Sequence, residues 1–409
     1  MAINILINGS ADPKARYVTW APSPCSIELA AGPGVSSSQV VTLRNKPPSS
    51  GGVVVFYSKP GAAASNTLAL TLTPGTPVSF LVGGKFGKPS IADGDVAIQV
   101  MSGTQVLAEM PLMVRIRKNA NTLSTGERDR FVAALAQLNN KGAGRYADFR
   151  NIHNSAGLPE AHGAPGFLPW HRAFILDLER RLQAFDSSVA LPYWRFDQKA
   201  PALFTADFFG ASDSLGTVHF SPTNPLQFWV TDGIPGIKRR PLFNVATAAA
   251  NNVLTEAQTI ALGKQFAGFR GLEDNPHGYA HTSFGGSISS VPTAVKDPLF
   301  FLLHANVDRL WAKWQKQLGR FDPSVAASFD STNPPGGNRI GHNLTDTMWP
   351  WNGVTGGVRP PTAPGGPMPG SLSASAPGAM PRVEDLLDYR GVIVAGSRQG
   401  FDYDDVPFA

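Results

Sequence analysis

The histidines of this chain are concentrated in two triplets, and this pattern constrains the fold more than any other feature. Six of the eight histidines in the 409-residue chain belong to them. The upstream triplet is His153, His162 and His171, and the downstream triplet is His277, His281 and His304. Neutral imidazole is the commonest protein ligand for a transition metal. The pattern predicts two metal ions, each held by three histidines, that face each other across a helical core.

The histidine pattern alone leaves the identity of the metal open. Ligand sets made only of histidine suit copper, zinc and iron, although non-haem iron usually adds a carboxylate that neither triplet contains. Three histidines with an open fourth position also describe catalytic zinc sites, whereas a structural site normally closes that position with a protein group. Two such sets on facing helices suit a coupled copper pair that binds dioxygen, so copper is favoured among the alternatives.

Helical periodicity places the ligands on buried faces. Apolar residues recur at helical spacing after Trp170, and His171 shares their face. The spacing of His277 and His281 puts both on one side of a helical turn. The dipeptide Asp297-Pro298 predicts a helix start, followed by a helix from Leu299 to about Leu318 that carries His304. Asp308, one turn after His304, is predicted either to orient a ligand imidazole or to pair with Arg172 or Arg309.

The first 116 residues have a different character. Short, mostly apolar runs are separated by Gly, Pro, Ser and Asn at a spacing typical of a β-sandwich. The predicted strands are Ile3–Ile7, Gln39–Leu43, Val53–Tyr57, Leu68–Leu72, Val78–Val82, Val96–Met101 and Leu112–Ile116. No ligand cluster lies among them, so this region is expected to pack as a structural domain.

Several other segments carry weaker signals. Ser124 and Glu127 form a capping box ahead of an amphipathic helix, and a second helix is predicted over Thr255–Phe269. Residues 154–166 are predicted to be a loop. The Pro- and Gly-rich stretch 331–381 is predicted to be a long covering loop, followed by a short helix and a possible strand near the end. His219 and His342 are predicted not to be ligands.

Charge and cysteine content exclude other classes of protein. The formal net charge is +5 and the basic residues are scattered, so a nucleic-acid partner is not expected. There is no long apolar run, so we expect no membrane partner, and the N-terminus lacks a signal peptide pattern, so a cytoplasmic location is expected. The single cysteine, Cys25, excludes an internal disulfide and a cysteine-based metal site.

Longer strings around the histidines resemble a known family. Three strings resemble the two copper-binding regions of the tyrosinase and catechol oxidase family of type 3 copper proteins. They are H-G-x-P-G-F-L-P-W-H-R-x-F at 162–174, P-H-G-Y-A-H at 276–281 and D-P-L-F-F-L-L-H-A-N-V-D-R-L-W at 297–311. Residues 117–131 resemble the start of that family's catalytic domain, and the tail at 383–404 resembles its end. The resemblance covers about 117–409 and leaves residues 1–116 outside.

The resemblance implies a fold and an activity. The fold is multidomain, with an N-terminal all-β sandwich over residues 1–116 and a mainly α catalytic domain over residues 117–409, built on a four-helix bundle around two coppers. His153, His162 and His171 match the ligands of the first copper, and His277, His281 and His304 match those of the second. The implied reaction is oxidation of o-diphenols to o-quinones by dioxygen, which is reduced to water, with ortho-hydroxylation of monophenols in some members. A phenolic small molecule and dioxygen are the expected partners.

Three further residues are assigned by the same resemblance. Glu273 matches an acidic residue that holds a water which helps to deprotonate incoming phenols. Gly278 stands where proficient monophenol hydroxylases often carry Asn, which favours diphenol oxidation here. Val291 matches the gate position over the second copper, and its small side chain implies an open entrance. Two departures, Leu303 beside a ligand and the lack of a cysteine near the site, are expected to leave the copper site intact and to exclude a thioether link.

The resemblance also carries alternatives. A haemocyanin-like oxygen carrier uses the same six histidines for binding alone, but its site is blocked by a phenylalanine or a covering domain, whereas the chain is expected to lack the C-terminal domain that covers some members. The small Val291 favours the enzyme. A specialised oxidase of o-aminophenols or of a biosynthetic phenol would share the site and differ in its pocket.

Overall fold

The computed structural model describes residues 2–32, 37–46, 51–154, 158–330 and 340–408. The chain divides into two compact units. The first contains residues 1–116 together with 371–375 and 398–409, and the second contains residues 117–370 and 376–397. The sequence analysis expected 117–409 to form one domain. In the structure, residues 371–375 and 398–409 belong to the first unit instead. None of the described helices is long and apolar enough to span a lipid bilayer.

The described part of the first unit forms two β-sheets. Its strands are β1 (Ile3–Ile7), β2 (Tyr17–Val18), β3 (Ser23–Leu29), β4 (Gln39–Asn45), β5 (Val54–Tyr57), β6 (Thr67–Leu72), β7 (Val78–Gly84), β8 (Val96–Ser102) and β9 (Gln105–Val114). One sheet has the order β1-β3-β7-β5 and the other the order β2-β9-β8-β4-β6. Neighbouring strands are antiparallel except for β2 and β9, which are parallel.

Strands of both sheets contribute to one buried apolar cluster. In β3 the side chains of Cys25, Ile27 and Leu29 point inward while those between them are more exposed, which is the period of two expected of a half-buried strand. The tail of the chain joins this unit, because the Trp20 indole donates to the carbonyl oxygen of Tyr403 at 2.8 Å. The tail that resembles the end of the catalytic domain thus packs with the strands.

Most predicted strands match the observed ones within two residues, with two differences. The strand predicted at Leu112–Ile116 is the end of the ten-residue strand β9. Strands β2 and β3 were not predicted. Pro24 in β3 argues against a strand, since proline cannot donate a ladder hydrogen bond, yet β3 pairs with β1 and β7 on its two sides.

The second unit is mainly helical. The described helices are α1 (Thr125–Asn139), α2 (Tyr146–Ile152), α3 (Leu158–Ala161), α4 (Phe167–Phe185), α5 (Glu256–Ile260), α6 (Phe266–Phe269), α7 (Tyr279–Thr282) and α8 (Leu299–Leu318). Short antiparallel ribbons pair β10 (Ala211–Ser212) with β11 (Val218–His219), β12 (Val230–Thr231) with β13 (Ile234–Pro235), and β14 (Arg239–Pro241) with β15 (Phe284–Gly286). The longest of these helices, α4 and α8, carry one ligand of each triplet.

Local sequence explains where the helices begin and end. The predicted capping box of α1 is present, because Ser124 and Glu127 each accept a hydrogen bond from the other's backbone. Helix α8 ends at Gly319 in the left-handed conformation, which glycine adopts without a steric cost. The Asp297 carboxylate accepts a hydrogen bond from the backbone of Leu299 at 3.0 Å, so Asp297 caps α8, although Pro298 lies just before the first helical residue.

Two predictions for the second unit are wrong in detail. The single helix expected over Thr255–Phe269 is two short helices, α5 and α6, because the chain turns at Gly263, whose carbonyl oxygen accepts from the Trp314 indole at 2.7 Å. The expected loop at 154–166 contains helix α3, and residues 155–157 lie outside the described residues. Within the described part of 331–381, residues 340–381, there is no helix or strand, as predicted. The described tail has a 3₁₀ turn at Glu384–Leu386 but no strand.

Candidate metal centre

The six predicted ligands form two clusters in the second unit. His153, His162 and His171 make one, and His277, His281 and His304 make the other. Within each cluster, one ring nitrogen of every histidine lies within 4.8 Å of the others. The structure therefore brings together all six residues in the two sets that the sequence pattern predicted.

Three different elements supply the first triplet. His153 is the residue that ends α2, His162 directly follows α3, and His171 is the fifth residue of α4. His153 and His171 are buried and His162 is partly buried. A ligand set drawn from three separate segments depends on tertiary packing, which only the folded chain provides.

The second triplet comes from two adjacent turns and a long helix. His277 lies in a π-helical turn at Asp274–Gly278, His281 in α7 and His304 in the second turn of α8. The expected single helical face for His277 and His281 is thus split between a π turn and an α turn. Such π turns are frequent at functional sites because they redirect a side chain. The rings of His277 and His281 are 4.7 Å apart, centroid to centroid.

Backbone carbonyl groups orient three of the six rings. The Nδ1 atoms of His171, His277 and His281 lie 2.9, 2.6 and 2.8 Å from the carbonyl oxygens of Phe167, Glu273 and Ile288 respectively. A carbonyl oxygen only accepts, so Nδ1 must carry the proton in each ring. The lone pair is then on Nε2, which is the nitrogen left to bind a metal.

The second triplet has a nitrogen arrangement that hydrogen bonds cannot satisfy. The Nε2 atom of His304 is 3.3 Å from Nε2 of His277 and 3.2 Å from Nε2 of His281. Since both of those nitrogens carry lone pairs, a single proton on His304 could satisfy only one of them. A cation at their common centre satisfies all three, so this donor set fits a metal ion.

The first triplet shows the same deficit of partners. Among the described residues, Nε2 of buried His171 and both ring nitrogens of buried His153 have no hydrogen bond of normal geometry. Buried polar atoms of this kind are rare in folded proteins and call for an explanation. A metal ion bound by Nε2 of His171 and by one ring nitrogen of His153 accounts for two of these three atoms.

The two triplets face each other. The rings of His171 and His304 are stacked with their centroids 4.3 Å apart, and the rings of His162 and His277 are 6.4 Å apart. Each pair joins one member of the first triplet to one member of the second. The two sets of ligands therefore adjoin each other, and two ions bound by them would share one centre.

Burial keeps five of the six histidines neutral. It lowers the pKa of His153 to about 3 and the pKa of His281 to about 4. It also holds the pKa values of His171, His277 and His304 well below their usual range, with further lowering from neighbouring imidazoles. Only neutral imidazole has a lone pair to donate, so burial prepares the rings for a metal.

Two phenylalanines complete the walls, and the sequence analysis missed both. The Phe300 ring lies 4.1 Å from the ring of His304 and 4.7 Å from that of His153, so it touches both triplets. The Phe167 ring lies 4.6 Å from His171 and 4.9 Å from His277. Each phenylalanine precedes a ligand by four residues on the same helix, and this shared spacing is a signal that could have identified them.

The carboxylate of Asp308 belongs to a buried ion-pair cluster. Its Oδ1 accepts from Nε of Arg172 at 2.6 Å, and its Oδ2 lies 3.2 Å from a guanidinium nitrogen of Arg117. The alternative in which Asp308 pairs with Arg172 is therefore the one observed. Arg117 also pairs with Glu179, 2.6 Å away. The cluster links α4 to α8. The sequence offered the pairing of Asp308 with Arg172 as an alternative, whereas no simple sequence signal identifies Arg117 and Glu179 as members.

Each of the three residues assigned by resemblance lies near a ligand histidine. The Glu273 carboxylate accepts from the backbone N–H of Gly163 at 2.7 Å, so it connects the segment that carries His162 to the turn that carries His277. Gly278 directly follows His277 in the turn. Val291 begins a 3₁₀ helix and is 42% exposed. Leu303, beside His304, is fully buried.

The two remaining histidines lie outside both triplets. His219 is exposed on β11 and contacts the Asp213 carboxylate at 3.0 Å. His342 is buried, and its two ring nitrogens contact backbone groups of Gly166 and Pro159.

Comparison with known proteins gives consistent matches. Residues 143–317 match the family described as the common central domain of tyrosinase. A tyrosinase of Streptomyces antibioticus is 34% identical over 271 residues, which cover 59% of this chain and 94% of that protein. Hemocyanin 2 of Megathura crenulata is 30% identical over 257 residues, which cover 58% of this chain and 7% of that much longer protein.

A solved tyrosinase from Burkholderia thailandensis superposes with a TM-score of 0.44 at 18% identity, covering 71% of this chain and 75% of the other. The tyrosinase family uses a binuclear copper centre, and the described donor set fits one. Two clusters of three histidines, with buried ring nitrogens of His153 and His171 that lack hydrogen-bond partners, are the ligands that such a centre requires. The chain therefore belongs to the tyrosinase family, and its two histidine triplets form the site for a pair of copper ions.

Proposed function

We propose that this protein oxidises o-diphenols to o-quinones with dioxygen. The observation that carries the proposal is the juxtaposition of two three-histidine clusters, with the rings of His171 and His304 stacked 4.3 Å apart. Bound copper supplies one-electron redox chemistry that no side chain can provide. Two metals side by side also provide a template on which substrate and dioxygen meet.

The reaction balances with the reactants named. Two diphenol molecules each lose two electrons and two protons to become quinones. One dioxygen molecule takes up the four electrons and four protons and becomes two water molecules. No other oxidant or reductant is required. The protein's part is to hold the metal ligands rigidly, to orient the phenol and to help remove its protons.

We assign proton handling to Glu273. Its carboxylate accepts a hydrogen bond from the backbone N–H of Gly163, the residue after His162. Its backbone carbonyl oxygen accepts one from Nδ1 of His277. In this proposal the carboxylate assists deprotonation of an incoming phenol, through a water molecule, before electrons are transferred. This assignment rests on the resemblance as well as on the position.

We assign control of access to Val291. Val291, whose side chain is exposed, directly follows residues 287–290. In that segment the carbonyl oxygen of Ile288 accepts a hydrogen bond from Nδ1 of His281. A side chain as small as valine leaves room for bulky phenols. Gly278, beside His277, presents no side-chain amide that could orient a water molecule, which favours diphenols over monophenols as substrates.

We also infer a more specific architecture. Helices α2, α4, α7 and α8 supply or border five of the six ligands, which supports a four-helix bundle around the coppers. The two sheets of the first unit share one buried cluster, which supports a sandwich.

The second candidate function is reversible oxygen binding without turnover. The 30% identity to a hemocyanin favours it. An o-aminophenol oxidase is a further alternative with the same centre. The exposed Val291 supports an enzyme over a carrier, because a carrier needs its substrate entrance closed.

The proposal is tested by reconstitution. Metal-free protein would be titrated with copper or zinc, then given a catechol, and quinone formation would be followed by absorbance. We expect quinone to form only with copper and to reach its maximum at two equivalents. Zinc is the matched control, because it suits the same ligands but cannot change its oxidation state. Two bound coppers without quinone formation would favour the oxygen carrier.

A further inference from the structure

A histidine outside both triplets touches both ends of the segment that carries His162. The Nδ1 atom of buried His342 accepts from the backbone N–H of Gly166 at 3.1 Å. Its Nε2 atom lies 3.1 Å from the carbonyl oxygen of Pro159. An N–H group only donates and a carbonyl only accepts, so the ring is the neutral tautomer with its proton on Nε2. One side chain thus bridges residues 159 and 166, and His162 lies between them.

A second contact holds the same segment. The buried Glu160 carboxylate accepts from the backbone N–H of Trp349 at 2.7 Å and from Nε of Arg359 at 3.0 Å. Arg359 also donates to the carbonyl oxygen of Thr347 at 2.8 Å. All of these partners come from the stretch 342–359, which we call the clasp. The clasp therefore binds the His162 segment through buried polar contacts at several points.

Residues 341 and 342 are packed closely against the segment that carries His162. A Cβ atom on Gly166 would lie 2.5 Å from Nδ1 of His342 and 2.5 Å from the carbonyl oxygen of Gly341. A Cβ atom on Gly341 would lie 2.5 Å from Cγ of Glu160. Distances this short do not occur between real non-bonded atoms, so glycine is required at both positions. The imidazole of His342 is packed directly against the backbone that it holds.

The clasp also reaches the helix that carries the third ligand of this triplet. The Trp170 indole donates to the carbonyl oxygen of Trp349 at 2.7 Å, and Trp170 directly precedes His171. Gly166, which donates to His342, is the residue before the first turn of α4. Two of the three ligands of the first triplet are therefore attached to backbone that the clasp fixes.

We propose that His342 is a positioning residue for the first copper. It holds the chain on both sides of His162, so the affinity of the first triplet for copper depends on a histidine that is not a ligand. The inference rests on the binuclear copper site of the proposed function. It concerns metal affinity, so it is independent of whether the loaded protein oxidises diphenols.

Two substitutions separate hydrogen bonding from packing. His342→Leu fills much of the same space without any polar atom. His342→Gln keeps one acceptor and one donor on a single planar group, so it can contact both Gly166 and Pro159. The copper-loaded full chain would be dialysed against increasing concentrations of a copper chelator, and the copper content would be measured by elemental analysis.

We expect the wild type to retain two coppers over the widest range of chelator. His342→Leu should release one copper at a chelator concentration about 10- to 100-fold lower, which is the usual effect of removing a group that orients a ligand. The second copper should stay bound, so that a plateau of one equivalent appears. His342→Gln should recover most of the affinity for the first copper.

The control for lost stability is Leu138→Ala in the buried core of α1. It should lower the melting temperature and still retain two coppers like the wild type. The inference is overturned if His342→Leu releases both coppers together, if it retains both with wild-type affinity, or if the Leu and Gln variants behave alike. A wild type that binds two coppers but forms no quinone would contradict the proposed function and leave this inference standing.

Discussion

At the scale of single residues, the centre depends on which nitrogen each histidine presents. Backbone carbonyl oxygens of Phe167, Glu273 and Ile288 accept hydrogen bonds from the Nδ1–H groups of three ligands. Carbonyl oxygens of the main chain, rather than carboxylates, thus fix those tautomers. The Asp308 carboxylate pairs instead with Arg172 and Arg117, so the alternative in which it orients a ligand imidazole is not the one observed.

The ligands themselves give the first prediction. His171→Ala and His304→Ala each remove one donor, one from each triplet, and should abolish diphenol oxidation. Alanine is the best helix former, so helices α4 and α8 should persist. Quinone formation and the far-ultraviolet circular dichroism spectrum measure the two properties. His219→Ala, at an exposed histidine, should retain full activity. Full activity in either ligand variant would remove the binuclear centre from this account.

Gly278 gives the second prediction. Its backbone dihedrals, φ −58° and ψ −41°, are open to any residue, and a Cβ atom there would meet Glu273 only at an ordinary 3.6 Å. Gly278→Asn should therefore fold normally and raise monophenol turnover relative to diphenol turnover. Initial rates with a catechol and the matching monophenol give the ratio. Gly278→Ala is the control without an amide, and an asparagine variant with the same ratio as the alanine variant would show that this position has no such role.

Cys25 gives the third prediction. The thiol is buried in the first unit, and burial raises its pKa to about 12. Almost no thiolate exists near pH 8, and only the thiolate reacts readily. A disulfide reagent should therefore label the folded protein very slowly and the protein in denaturant quickly, with one thiol per chain. Rapid labelling of the folded protein would contradict the described burial.

At the scale of elements, α4 and α8 hold the two halves of the centre together. Each carries one ligand, and the buried ion pair between Arg172 and Asp308 joins the two helices. Arg172 directly follows His171, and Asp308 lies one turn after His304. Breaking a buried ion pair leaves an uncompensated charge in a region with little water. The helix pair is thus the rigid frame of the site.

Asp308→Asn tests this frame. Removing the charge leaves the guanidinium groups of Arg172 and Arg117 without a counter-ion at that position, which should cost about 3–5 kcal/mol of unfolding free energy. Urea unfolding of the metal-free protein measures it. Arg382→Ala, which removes a largely exposed pair with Glu384, should cost at most about 1 kcal/mol. Equal effects of the two substitutions would contradict the role given to the buried pair.

Elements with strong local signals could be predicted, and those shaped by tertiary contacts could not. The capping box correctly predicts the start of α1, and the buried periodic face of α8 lies within the predicted bounds Leu299 to about Leu318. The break between α5 and α6 depends on a contact from Trp314, 51 residues after Gly263. All six ligands could be predicted because the chain has only eight histidines and these six lie in two triplets within strings that resemble the copper-binding regions of the family. The role of His342 could not, because its partners lie 176 and 183 residues earlier in the chain.

At the scale of the whole molecule, burial of the ligand histidines links stability to pH. An unfolded histidine has a pKa near 6.5, whereas burial lowers that of His153 to about 3 in the folded protein. Between these values the unfolded chain binds more protons than the folded chain. The contribution of His153 to stability is therefore fully present above about pH 6.5 and declines as the pH falls towards 3.

His153→Gln tests this linkage in the metal-free protein. The loss of unfolding free energy between pH 7.5 and pH 5 should be smaller in this variant than in the wild type, because one titrating group is gone. Urea unfolding at the two pH values gives the difference. His219→Gln, at the exposed histidine, should keep the wild-type dependence. An unchanged pH dependence in His153→Gln would show that His153 is not buried as described.

The central claim is that the two histidine triplets form one copper centre that oxidises diphenols. The most direct measurement is oxygen uptake by the copper-loaded protein, given first a catechol and then the corresponding monophenol. We expect steady uptake with the catechol, one dioxygen for every two catechols, and slower uptake or none with the monophenol. Absence of uptake with the catechol, in protein shown to hold two coppers, would contradict the claim and favour an oxygen carrier.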